Sequence, residues 1–505
     1  MVTLIKNVVI VDGTGKPPFK GDIVVRDGKI MARGSFPSYN ADVTIQGNGA
    51  YATPGFIDPD ITSDRYLTIF EQPQHTNFLS QGITSGIIGQ CGFSLAPNFY
   101  GSLHNFVRWT TTNAVNINWK GVGEFLDALG HLHLGINIGT LVGHKVVRED
   151  IVHRPDEDFR NLTANELRVF RMVLERALRE GALGFSAGLG YPPYQQTTYH
   201  ELRALVDVVK KQGGVYTTHL RDEKDNLVSS VEETVRLAQE MSVPVIINHL
   251  RPFKGFEKEY EQALSYIQEL APKAMVYFDG NPFTESAAPV ESFLPPSLRH
   301  KDRDSVLAMM EDDNARKEII SQLPSIQGKK MLILYAPEME FLNGVSLYQF
   351  AQNRGLSYPN ALVELMRTTK LRGVVLYENL SKKAVTEGVL HSHALVSTNS
   401  PSISTDKEKG YVPERMMNTF PSYIALADKK GLPIEKTISK ITGLIAKLYN
   451  IQDRGFLVEG YAADITLIGA DQKITHVFVN GELSYQQGNK VSARSGQVIR
   501  ASHES

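Results

Sequence analysis

Cysteine is almost absent from this sequence: Cys91 is the only one among 505 residues. With no partner thiol, no internal disulfide is expected, which fits a reducing compartment. A charge excess is missing too. Lysine and arginine number 53 against 55 acidic residues, a formal net charge of −2. No basic field therefore points to nucleic acid, and no polybasic patch points to a membrane. No apolar run approaches the roughly 18 residues that a transmembrane helix needs. The opening Met1–Val11 is interrupted by Lys6 too early for a signal peptide. A cytoplasmic protein of ordinary globular composition is expected, long enough for two or three domains or for one large barrel with additions.

Both ends read as strands and turns. Asn7–Val11, the turn Asp12-Gly13 and the run Asp22–Val25 open the chain, and Asp464–Ile468, Ile474–Val479 and the turn Asn480-Gly481 close it. Residues 1–53 and 454–495 are expected to build one small β-sandwich, with a polar tail after about 495 that frays. The middle, 54–453, alternates strand and helix. Thr163 with Glu166 forms a capping box ahead of Leu167, Phe170, Leu174, Ala177 and Leu178 on one helical face. Thr198 with Glu201, and Ser230 with Glu233, are read as the next two helix starts. Strands near Leu183, Val215, Val243 and Met275 recur about every 30 residues, the size of a βα unit. With further strands at Phe56–Asp60, Ile83–Ile88, Ile136–Leu141 and Ala394–Thr398, the count is eight. The fold class predicted is α/β, a (β/α)₈ TIM barrel. Residues 284–390 are too many for one βα connection and carry the strand-like runs Met331–Tyr335 and Val374–Tyr377, so an inserted α/β subdomain is expected there.

Chemistry in such barrels gathers at the C-terminal ends of the strands. Cys91 follows the second strand, His219 ends the fifth and His249 follows the sixth. A soft thiolate and two imidazoles form a zinc ligand set with an open fourth position. Each has a bland alternative: a lone buried cysteine is usually a small hydrophobe, and a histidine at a strand end is often structural. The joint placement on three strands favours the metal.

At these positions the chain resembles the D-aminoacylases, the N-acyl-D-amino-acid deacylase branch of the amidohydrolase superfamily. The resemblance is carried by Pro54-Gly55-Phe56-Ile57-Asp58, Cys91-Gly92-Phe93-Ser94-Leu95-Ala96-Pro97, Leu141-Val142-Gly143-His144 and Gly184-Phe185-Ser186 with Tyr191-Pro192-Pro193. It continues through Thr218-His219-Leu220-Arg221, Asn248-His249-Leu250, Asp453-Arg454-Gly455 and Gly460-Tyr461-Ala462-Ala463-Asp464. It implies one tightly held Zn²⁺ on Cys91, His219 and His249, and Arg415 facing a substrate carboxylate. It also implies a His-x-His pair after the first strand for a second metal and an aspartate general base after the eighth. Here Asp60 and Thr62 replace the histidines, Asn399 replaces the aspartate, and Asn281 and Phe283 stand where tyrosines are expected. His131-Leu132-His133 and His391-Ser392-His393 have the right form but precede their strands, on the far side of the barrel.

Two functional readings stay open at this point. One is a zinc-dependent hydrolase of the amide bond of N-acyl-D-amino acids or similar small amides. In it His144 stabilises an oxyanion, Arg415 or Arg221 binds a carboxylate, and Asp60 or Asp279 accepts a proton. The other is a catalytically impaired relative that binds metal or ligand without turnover. Nothing in the sequence specifies oligomeric state.

Overall fold

The computed structural model describes the chain apart from residues 100–117, 153–159, 192–193, 271–272, 300, 404–411, 490, 492 and 503–505. Pro192 and Pro193 of the Tyr191 motif thus lie outside the described residues.

Eight short, almost wholly buried strands form the centre: Phe56–Asp58, Ile83–Ile88, Asn137–Thr140 (resumed at Val142–Gly143), Gly184–Gly188, Val215–His219, Val245–Ile247, Val276–Gly280 and Ala394–Val396. Strands covered on both faces need no polar alternation, and parallel pairing follows when helices wrap the outside. The first three pair in one parallel ladder, and the third to the eighth in another. A parallel bridge between Ile61 and Ser400, beside Asn399 N donating to Asp60 O at 3.0 Å, joins the eighth strand to the first. The barrel is closed.

Helices cover it as the apolar periodicity demands. In Ala164–Arg179 the Thr163 hydroxyl accepts from Glu166 N at 3.3 Å, and the Glu166 carboxylate accepts from Thr163 N at 2.7 Å. That box sets the face on which Phe170, Leu174, Ala177 and Leu178 are buried, each large side chain contributing ~1.5–3 kcal/mol. Thr198 caps Tyr199–Lys211 by accepting from Glu201 N at 3.2 Å, while the Glu201 carboxylate turns to His144 and Arg148 instead of closing the box. The Ser230 expectation fails: the helix is Leu227–Met241, entered at Asn226, and Ser230 donates its hydroxyl to Asn226 O within the first turn. Glu233 is drawn to Arg221 instead.

Both chain ends meet in one eight-stranded sheet, where Ile465–Ile468 pairs antiparallel with Tyr51–Pro54. It closes over its own apolar cluster, including Ile5, Ile23, Ile465 and Phe478. The closing signature ties this sheet to the barrel. Buried Arg454 pairs with Asp464, whose carboxylate also accepts from Asn137 Nδ2 of the third strand at 2.9 Å and from Asn480 N at 2.7 Å.

The insertion has a three-stranded antiparallel sheet of Ser286–Pro289, Val374–Tyr377 and Met331–Tyr335. Its separate core contains Val290, Ile333, Phe350, Leu362 and Leu365. Its expected boundary of 390 is too late: in the helix Lys382–Leu390, Ala384 and Val389 pack into the barrel's core. The tail after 495 does not fray at once. Leu134 and Ile138 of the barrel bridge to Gly496 and Val498, and Ile499 N donates to Ile138 O at 2.8 Å, because the end of the third strand's outer edge offers unpaired backbone groups.

Candidate metal centre

The three residues separated by up to 158 positions in the chain come together at the barrel mouth. One ligand atom each from Cys91, His219 and His249 lies within 4.8 Å of the others, and Cys91 Sγ is 3.3 Å from His249 Nε2. All three are buried. Cys91, His249 and Asn399 share an unusual backbone, with φ of 56°, 36° and 43°. Left-handed backbone at a non-glycine residue costs free energy and persists where the surroundings impose it, often at functional sites. Here it turns each side chain out of its strand end toward the mouth.

Glu223 organises the two imidazoles. It follows His219 by one helical turn's spacing; its Oε2 is 3.4 Å from His219 Nε2 and its Oε1 3.5 Å from His249 Nδ1. His219 Nδ1 and His249 Nδ1 are buried with no hydrogen-bond partner among the described residues, and His249 Nε2 faces Cys91 Sγ. Arg251 clasps the same carboxylate through Nε at 3.0 Å and through its terminal nitrogen. Burial pushes the Glu223 carboxyl up, yet Arg251 and the imidazoles outweigh it and hold it well below the usual range. Burial pushes the Cys91 thiol up to about 12, opposed chiefly by Arg65. A buried thiol, an orphaned imidazole nitrogen and a second imidazole facing one point suit zinc, whose binding requires the thiol to give up its proton.

Asp60 and Asn399, at the ends of the first and eighth strands, face each other. Asn399 Nδ2 donates to Asp60 Oδ2 at 2.8 Å, while Asp60 Oδ1 is buried without a hydrogen-bond partner among the described residues. Burial raises the Asp60 pKa, with Arg65, Asn399 and Arg415 opposing. Asp279 accepts hydrogen bonds from Ser397 Oγ at 2.5 Å and from Asn248 Nδ2 at 3.4 Å. Asp279 is thus a buried acceptor between strands. Arg415 is buried, with its terminal nitrogen donating to the carbonyls of Thr398 and Asn399. Arg415, Asn281, Asn399, Arg251 and His249 line one cavity at the mouth.

Two expected roles are corrected. His144 is wholly buried among Phe170, Phe185 and Tyr194, with Nε2 2.8 Å from Glu201 Oε1, so it holds a helix to the barrel and has no access to an oxyanion. Arg221 spends its guanidinium on Glu233, at 2.7 and 2.9 Å, and on the carbonyls of Gln195 and Thr197. It braces the helix after its strand. The spare histidine pairs sit at the opposite end: His393 Nδ1 is 3.0 Å from Val276 O, where the seventh strand begins, and His131 Nδ1 is 2.7 Å from Asp127 O. Glu223, Arg251 and Arg65 were missed in the sequence. Their signal is position, within four residues of His219, two of His249 and five of Asp60.

No family model matches the chain. It is 26% identical to the D-aminoacylase of Alcaligenes xylosoxydans xylosoxydans over 511 residues, covering 97% of this chain and 96% of that protein. The chain is a relative of the D-aminoacylases. Solved structures agree on the fold. The N-acyl-D-glutamate deacylase from Bordetella bronchiseptica, complexed with zinc and a phosphonate mimic of the tetrahedral intermediate, superposes with a TM-score of 0.79 at 23% identity, covering 99% of both chains. A D-aminoacylase studied for its binuclear metal centre, with one-metal activation and second-metal attenuation, gives 0.78 at 24% identity, again over 99% of both. The D-aminoacylase-like chain has no helix, among its described residues, long and apolar enough to cross a membrane.

Proposed function

We propose that this amidohydrolase holds one zinc ion on Cys91, His219 and His249 and hydrolyses the amide bond of small N-acyl-D-amino acids. The observation that carries the reading is the convergence of one thiol and two imidazoles within 4.8 Å at the mouth of a closed barrel. When bound, zinc polarises the amide carbonyl and acidifies a water.

The remaining work falls to side chains of the protein. Asp60 Oδ1, unpartnered among the described residues and raised in pKa by burial, takes a proton from the attacking water and passes it to the departing amide nitrogen. Asn399 has no basic atom. Its amide instead fixes the other oxygen of Asp60, so the carboxylate expected on the eighth strand is supplied from the first. Arg415 and Asn281 line the cavity beside His249 and bind the substrate carboxylate. The one-metal activation described for a solved D-aminoacylase supports a mechanism that needs no second ion.

The test loads metal-free protein with one equivalent of zinc and follows release of free amine from a panel of N-acetyl-D- and L-amino acids. Hydrolysis of D-substrates that disappears, together with the zinc, in Cys91→Ala supports the reading. Zinc bound with no turnover on any member marks a silent relative.

A further inference from the structure

Beneath the mouth the barrel carries a polar layer that the proposed chemistry leaves unused. Ile57, Val215, Ile246 and Leu395, from four different strands, share one apolar cluster. Two residues nearer the mouth than the last three, on the same side of each strand, stand Thr217, Asn248 and Ser397, all buried. Barrel interiors are ordinarily filled by branched apolar side chains, and a buried polar group costs free energy unless it is hydrogen-bonded.

Gln90 is the group on which this layer converges. It is 2% exposed. Its Oε1 accepts from Thr217 Oγ1 at 2.8 Å and from Asn248 Nδ2 at 3.1 Å. Its Nε2 donates to Pro59 O and, at 3.2 Å, to Tyr449 Oη, which itself donates to Pro59 O at 3.2 Å. A carboxamide has two donors and two acceptor sites, so none is left over for substrate or metal. Each contact adjoins a residue of the site. Gln90 precedes Cys91, Asn248 precedes His249, and Pro59 precedes Asp60. Thr217 shares the inward side of its strand with His219.

Resting on the one-zinc reading above, we propose that Gln90 is a positioning residue whose carboxamide holds Cys91, His219, His249 and Asp60 in mutual register. One planar amide ties the first, second, fifth and sixth strands together at a single level just under the ligands. Metal and catalytic groups must be kept within about 0.5 Å of their working places, which takes supporting hydrogen bonds that are themselves fixed. Gln90 acts through the backbone of its neighbours and touches none of the reacting atoms.

The experiment titrates chelator-stripped full-length chain with Co²⁺ against a competing chelator, and the thiolate-to-cobalt absorption band reports occupancy at Cys91. Gln90→Met keeps the length of the side chain and removes all four hydrogen bonds. Partners that touch a ligand directly are worth about 10- to 100-fold in affinity; Gln90 stands one residue further out, so a loss of at least about 5-fold is expected. Gln81→Met is the control. Gln81 is an equally buried carboxamide at the other end of the second strand, donating to Asn77 O and Met416 O at 2.9 Å. Its loss should lower thermal stability and leave Co²⁺ affinity within about 2-fold of wild type. A folded Gln90→Met that loses less than 5-fold, or a Gln81→Met weakened as much as Gln90→Met, overturns the role of Gln90. If Gln90→Met fails to fold, Thr217→Val decides, since it takes one donor from Gln90 at nearly unchanged volume: affinity at least 2-fold weaker supports the proposal, and any smaller change refutes it. No band in wild type overturns the Cys91, His219 and His249 site itself, whereas a normal band in wild type with an unaffected Gln90→Met overturns this inference alone.

Discussion

Replacing Glu223 by glutamine keeps the side-chain volume but removes one of two acceptor oxygens between His219 and His249. Those oxygens stand 3.4 Å from His219 Nε2 and 3.5 Å from His249 Nδ1, so each imidazole has its outer nitrogen turned to the same carboxylate. An outer partner of this kind fixes which ring nitrogen carries the proton and aims the other inward; losing it typically weakens metal binding about 10- to 100-fold. At about 1.4 kcal/mol per decade that is ~1.4–2.7 kcal/mol. The upper half of the range is expected, because a single glutamine oxygen can serve only one of the two rings. Zinc affinity is measured by competition with a chromophoric chelator at fixed pH. Glu223 also answers Arg251, so Arg251→Met is the control: it removes the cation but leaves the carboxylate on the rings. Zinc affinity within about 3-fold of wild type is expected there. The reasoning is refuted if Glu223→Gln binds zinc within twofold of wild type, or if Arg251→Met weakens binding as much as Glu223→Gln.

Asp60→Asn should lower kcat by about 10²- to 10⁴-fold while zinc content stays unchanged; a loss of zinc instead would make Asp60 a ligand. Gly190→Ala places a Cβ 2.5 Å from His219 Cδ2 and Nε2. That Cβ also lies 2.7 Å from the backbone oxygen of Leu220, so ring and backbone must both move: zinc affinity and thermal stability should fall together, and unaltered affinity would show that the ring has room. His75 supplies a pH test away from the metal. Burial lowers its pKa from 6.5 to about 4, so between these values the unfolded chain binds more protons than the folded one. Its contribution is complete above pH 6.5 and is lost as pH falls toward 4, ~3 kcal/mol in all. Urea unfolding of wild type and His75→Gln should therefore converge as pH drops through that window; parallel curves would contradict the buried neutral imidazole.

How far the site was legible depends on where each residue's partners lie. Cys91, His219 and His249 were readable because each sits just after an apolar run, and a barrel brings all such ends to one rim. The capping box at Thr163 and the side-chain cap at Thr198 were readable because they involve residues three apart. Ser230 has the same spacing to Glu233, but Arg221 lies across the strand–helix turn and takes that glutamate first. His144 and Arg221 look like mouth residues by position, and each was claimed by a carboxylate, Glu201 or Glu233, on a neighbouring helix.

The order of apolar runs, glycine turns and caps was enough to specify an eight-stranded barrel, because those signals act over a few residues and repeat. Which polar groups share the mouth was decided only in three dimensions. Asp60 and Asn399 are 339 positions apart and yet hydrogen-bonded, and Arg65 reaches from the first loop to the Gln90 carbonyl and the Phe93 ring of the second. Electrostatic pairing depends on distance through space across the barrel, and no local pattern along the chain encodes it.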